Sequence, residues 1–164
     1  MAYIFWNKGE QSLINTWLGG FTAGTNGVPG SALYVGMGAR SGGVGSTKSN
    51  ANNGASDATD IAEIGLVGGA SGGYSRQAVG RTAGTPSGST WPAASLVSTS
   101  YQSQAPQVTF TFTGAPNLNG ATLWFVALTG VAGTNDCLFG ADLAATRTFS
   151  NGDTERITIT YRQT

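Results

Sequence analysis

The chain contains no histidine, one cysteine, and only eight basic and eight acidic residues in 164. Each shortage excludes something. Without histidine, the commonest general base and the commonest metal ligand are missing. A single cysteine, Cys137, closes no intrachain disulfide and builds no multi-cysteine zinc site. Charged residues make up 10% of the chain, against roughly 25% in an ordinary globular domain. The lysines and arginines are scattered and the formal net charge is zero, so there is no basic footprint for nucleic acid. A net charge near zero favours self-association over repulsion. Long hydrophobic runs are lacking as well. No stretch approaches the ~18 apolar residues of a membrane span. The opening Met1–Lys8 has neither the basic n-region nor the apolar length of a signal peptide, and no Asn-x-Ser/Thr acceptor occurs. The expectation is synthesis and folding in a cytoplasm, with no membrane partner.

What is abundant is small and polar: 26 Gly, 21 Thr, 15 Ser and 5 Pro fill 67 positions. The length suits a single domain, 1–164, able to bury roughly 70% of its unfolded surface. One helix is expected, over 7–20. Asn7 serves as N-cap with Glu10 three residues on, Leu13, Ile14, Trp17 and Leu18 form one apolar stripe, and Gly19-Gly20 ends it. So short a helix must dock its stripe to persist.

The remainder reads as strands. Ser31–Met37 and Tyr74–Val79 are compact candidates. Val108–Thr113 alternates apolar and hydroxyl residues, which puts Val108, Phe110 and Phe112 on a buried face. Leu123–Leu128 is apolar at every position, the mark of a central strand covered on both faces. Leu138–Leu143 is another candidate, and Arg156–Arg162 alternates again after a turn at Ser150–Asp153. The expected fold is all-β: an antiparallel β-sandwich or jelly-roll-like barrel with one short N-terminal helix and long Gly/Ser-rich loops. Two long connections, 39–60 and 80–106, interrupt it. The first holds one branched apolar residue, Val44. The second carries Trp91, Leu96, Val97 and Tyr101 as anchors, and so should order against its own sheet or a neighbour.

Candidate chemical sites are few. Asp57, Asp60 and Glu63, with the side-chain oxygens of Asn50, Asn52 and Asn53, offer oxygen ligands for calcium, but the EF-hand spacing is absent and solvated loop acids fit better. Gly65–Gly73 is glycine-rich without following G-x-G-x-x-G or ending in Gly-Lys-Ser/Thr, so it reads as a turn feeding a strand. A Ser or Thr nucleophile would need Lys8 or Lys48 as its base, and both stand in polar surroundings. A carboxylate pair remains available in principle for glycoside cleavage, yet the acids fall mostly at loop ends. No enzyme, cofactor or metal is expected, and Cys137 reads as a small hydrophobe. Among the aromatics, Trp17, Trp124 and Phe125 belong to the core. Phe5 and Trp6 either staple the helix to the core or reach a neighbouring subunit.

The order of segments resembles a family of small tailed-bacteriophage virion proteins often described as tail-fibre-like. The helix Ser12–Leu18 leading into Ala32–Met37 is similar to the family's opening. Glu63 followed by Ser71-Gly72-Gly73-Tyr74-Ser75-Arg76-Gln77-Ala78-Val79 is similar to its most distinctive motif, in which Ala is usual at the position of Ser75. Leu138–Leu143, Phe149–Thr154 and Ile157–Thr160 resemble its ending. The chain departs from the family in the inserted Leu66–Ala70, in the length of loop 39–60, and in Trp124–Leu128. The resemblance implies a structural particle component without catalysis.

The expected function follows: a bacteriophage virion accessory protein, made in the host cytoplasm, that self-associates and attaches to the head or tail shell as a cement, decoration or fibre component. Its partners would be its own copies and major capsid or tail proteins. The alternative is a carbohydrate- or receptor-binding module. Phe5, Trp6, Trp91 and Tyr101 are the candidate contact residues. Arg76 is expected to pair with Glu63 or Asp142.

Overall fold

Leu123–Leu128, apolar throughout, forms the centre of the molecule. The structure is a computed structural model, and it describes residues 3–18, 32–39, 61–64, 72–80, 89–90, 95–98, 100–104, 107–114, 121–131 and 137–163. Among the described residues, twelve strands and one helix follow in the order β1 (Tyr3–Phe5), α1 (Asn7–Leu18), β2 (Ala32–Ala39), β3 (Ala62–Glu63), β4 (Gln77–Gly80), β5 (Ser89–Thr90), β6 (Ser95–Val97), β7 (Ser100–Gln104), β8 (Val108–Thr111), β9 (Ala121–Ala127), β10 (Cys137–Arg147), β11 (Thr154–Ile157) and β12 (Thr160–Gln163). The fold is all-β with one short helix. A seven-stranded sheet runs β1-β10-β9-β2-β4-β5, with β3 added to β2. It is open rather than closed into a barrel. All its pairings are antiparallel except β4 with β5.

β9 lies between β10 and β2, and its alternation serves two cores. Leu123, Phe125 and Ala127 join Trp6, Ile61 and Cys137 on one face. Val126, with Trp124 packed beside it, joins the larger cluster on the other, which holds Val35, Met37, Ile64, Tyr74 and Val79. That second face is covered by the β8–β11 pair. Val108, Phe110 and Phe112 are buried there, as the alternating pattern predicts, while Thr109, Thr111 and Thr113 stay exposed. Phe112 stacks on Phe149 at 4.2 Å.

α1 starts one position earlier than a cap at Asn7 requires: the Trp6 carbonyl accepts the Glu10 N–H at 3.0 Å, so Asn7 lies inside the first turn. Two of the four residues of the expected stripe are exposed. Leu13 is 37% and Ile14 55% exposed, whereas Gly9 and Ser12, three apart, are buried. The helix rests on β10, closely at Gly9, where a Cβ would run into the Leu138 carbonyl. Close backbone approach seats it there, and the side chains of Trp17 and Leu18, the rest of the expected stripe, lie outside the described residues. Trp6 supplies the bulk just before the first turn, fully buried and with its backbone N–H donating to the Leu138 carbonyl at 2.9 Å.

Two further expectations are corrected. The segment 80–106 is not one extended loop, since it contains β5, β6 and β7. Its apolar residues suit strand pairing, which satisfies backbone groups that a bare loop would leave to water. Arg156–Arg162 is not one strand. β11 pairs with β8 up to Ile157↔Val108, and β12 pairs with β7 from Thr160↔Gln104. Burial still alternates through the break, with Ile157 and Ile159 inside. The connection 39–60 lies outside the described residues apart from Ala39, which ends β2.

Candidate functional site

The chemically richest place among the described residues is a buried cluster of Glu63, Tyr74 and Arg76, assembled on the edge of β2. β4 pairs with β2 as far as Val35↔Gln77, and β3 pairs with it from Gly38↔Glu63. Between these ladders the Met37 N–H has no strand partner. The Tyr74 hydroxyl fills the gap, accepting that N–H at 3.0 Å and donating to Glu63 Oε1 at 2.8 Å. Residues 74–76 are therefore not strand, although a strand over Tyr74–Val79 was expected. They are the lead-in that carries two buried side chains under the sheet edge, with Ser75 exposed between them.

Gly72 and Gly73 make this entry possible. Both adopt positive φ, 56° and 80°, a region costly for residues with a Cβ. The Gly72 carbonyl accepts the Thr113 N–H at 2.9 Å, which ties the turn to the end of β8.

Arg76 completes the cluster. Its Nε donates to Glu63 Oε1 at 2.9 Å and its Nη2 to Glu63 Oε2 at 3.1 Å, the bidentate fork that guanidinium and carboxylate favour. Nη1 donates to the Thr129 carbonyl at 3.0 Å, just beyond the end of β9. The guanidinium carbon lies 5.2 Å from the Phe125 ring centre, within cation–π range. Phe125 can reach that position because β2 offers glycine: a Cβ at Gly36 would collide with its ring. The side chains of Arg76 and Glu63 are 1% and 4% exposed. Burial raises the Tyr74 phenol well above its ordinary value, and the neighbouring Glu63 charge raises it further. Tyr74 also stacks on Phe110 at 5.8 Å, joining the cluster to the covering layer.

Chemically this is a clasp. Each Glu63 carboxylate oxygen accepts a bond from Arg76, Oε1 takes a second from Tyr74, and the tyrosine keeps its proton. A buried charge pair with its bonds made is tolerable, whereas half of one is costly. The clasp holds β3, the lead-in to β4, β2 and the Thr129 turn in one register.

The carboxylate that Arg76 takes up is that of Glu63. Asp142 stands on β10 opposite Leu123. Of the candidate contact residues, Trp6 is buried in the chain's own core and is not available to a neighbour. Phe5 pairs through its backbone with Phe139, Tyr101 pairs with Leu96 and Gln163, and Trp91 lies outside the described residues. So do Asn50, Asn52, Asn53, Asp57 and Asp60, while Glu63, the remaining member of that calcium reading, is committed to Arg76. Among the described residues no three of His, Cys, Asp or Glu come together. Cys137 is buried, as a small hydrophobe would be. Sequence reasoning missed the Tyr74 hydroxyl as a ladder substitute and Phe125 as the platform beneath Arg76. Gly36 inside an apolar strand was the available signal, because a strand glycine marks close approach.

Comparison with family models finds no match to this chain, and comparison with curated protein sequences finds none either.

Proposed function

We propose that the protein is a structural accessory component of a tailed-bacteriophage particle, self-associating and attaching to the head or tail shell. The observation that carries the reading is the use to which the resembling block is put. Glu63, Tyr74 and Arg76, from the core of the Ser-Gly-Gly-Tyr-x-Arg-Gln-Ala-Val resemblance, bond to one another in the clasp, and Gly72 and Gly73 turn the chain into it. A motif so used is architectural. Low charge, a Thr-lined outer face on β8, and exposed Ile14, Leu96 and Val131 favour association by backbone pairing and apolar burial.

Light scattering of the purified chain at micromolar concentration, with quantitative mass analysis of purified particles, tests this. The expected result is a closed oligomer and a stoichiometric place in the virion. A monomer absent from particles overturns the proposal. Copy number separates the two placements, since a head-decorating protein follows the shell lattice and a tail component is present in a small set. Glycan binding that disappears in Trp91→Ala would replace this reading with the receptor-binding one.

A further inference from the structure

β7 continues towards β8 and β11 towards β12, so the two pairs they form are successive stretches of one antiparallel ribbon. Its inner stretch, Val108–Thr111 against Thr154–Ile157, lies on the seven-stranded sheet and buries Val108, Phe110 and Ile157. The outer stretch, Tyr101–Gln104 against Thr160–Gln163, is widened by β6 into a three-stranded sheet. The two stretches are out of register by one. From Gln104 to Val108 the chain advances four residues, while the partner advances three, from Ile157 to Thr160. Such a one-residue excess interrupts the ladder, bends the ribbon and increases its twist.

Packing changes at the same place. β8 is in contact with β4 of the large sheet, whereas β6, β7 and β12 have their substantial contacts only with one another among the described elements. Leu96 is 59% and Val97 41% exposed on β6, and Ser98 turns the β6–β7 hairpin at φ 57°. A sheet this small, with no substantial contact to another described element, holds its shape only weakly. Few packing contacts beyond a broken ladder are what separates a cooperative unit from its neighbour.

We propose that β6, β7 and β12 form a jointed arm, which moves as a unit about the register break between Gln104↔Thr160 and Val108↔Ile157 while the inner ribbon stays fixed to the body. The inference is independent of the virion reading, because it concerns motion in the isolated chain.

Hydrogen exchange on the full chain tests it. Amides of 100–104 and 160–163 are expected to exchange together, roughly tenfold or more faster than those of 108–111 and 154–157. Uniform protection along the ribbon overturns the arm. Deleting Gln107 equalises the two strands and should bring outer exchange down to the inner rate. An unchanged difference in the folded deletion variant overturns the joint. A second measurement stands apart from that variant: spin labels at Ser98→Cys and Ala144→Cys should give a broad distance distribution, and labels at Thr109→Cys and Ala144→Cys a narrow one. Two equally narrow distributions overturn the proposal.

Discussion

Arg76 is held by three kinds of partner at once, a carboxylate, a backbone carbonyl and an aromatic face, so removing it leaves the Glu63 charge buried without compensation. Arg76→Ala should cost about 3–5 kcal/mol, measured as a shift in the urea midpoint. The double variant Glu63→Gln with Arg76→Met should recover much of that loss, because it buries no charge. Recovery no better than in the single variant would mean that the pair itself, not the stranded charge, sets the cost. Tyr74 makes a prediction in pH. Its folded value lies above that of an exposed tyrosine. Below about pH 10 both states are protonated and its contribution is fully present. Above that, the unfolded chain releases a proton that the folded chain retains, so stability falls as pH rises. The urea midpoint should therefore drop as pH rises above about 10, and drop less in Tyr74→Phe. An equal drop in both would assign the alkaline loss to other groups. Trp6 offers a contrast. Its indole N–H meets no hydrogen-bond partner among the described residues, and a buried donor so placed costs about 1–3 kcal/mol. Trp6→Phe removes that donor and should be far milder than Trp6→Ala, for which about 3–5 kcal/mol is expected.

At the scale of the element, α1 is where pattern and packing part company. Leu13 and Ile14, two of the four residues of the expected stripe, are exposed, while Ser12 is buried and Gly9 lies against Leu138 of β10. Leu13→Ser and Ile14→Ser should each change stability by no more than about 0.5 kcal/mol, whereas Ser12→Leu should cost about 1–3 kcal/mol by overpacking. Thermal melts decide between the two faces, and the reverse ranking would place the stripe inside. The strands were more legible. Val108–Phe112 declared its buried face by strict alternation, and β9 declared its central place by being apolar on both faces, since those patterns depend only on which face meets water. Ladder partners were not legible. Nothing in Arg156–Arg162 announces that the strand changes partner after Ile157, because apolar alternation continues through Ile159. Nor could β5–β7 be read from a segment rich in Ser, Thr and Pro, whose strands are defined by backbone pairing. The Arg76–Glu63 pair was legible as one of two options. Tyr74 was not, because its role depends on a gap between two ladders that exists only once the sheet is assembled.

For the whole molecule, the governing facts are a formal charge of zero and a surface carrying isolated apolar side chains. Association between such molecules draws little on attraction between net charges, and added salt screens only the charged part of a contact. If copies join through apolar burial and edge-strand pairing, raising sodium chloride from about 0.1 M to 1 M, where the screening length falls from ~10 Å to ~3 Å, should leave the association constant nearly unchanged. Sulfate should strengthen association, because it is excluded from protein surface and favours burial. Sedimentation equilibrium across the two salts reads both effects. A steep loss of association in sodium chloride would instead place opposite charges at the interface. The scattered arginines, such as the exposed Arg147 and Arg156, would then become the residues to change, and apolar burial would no longer account for how the copies join.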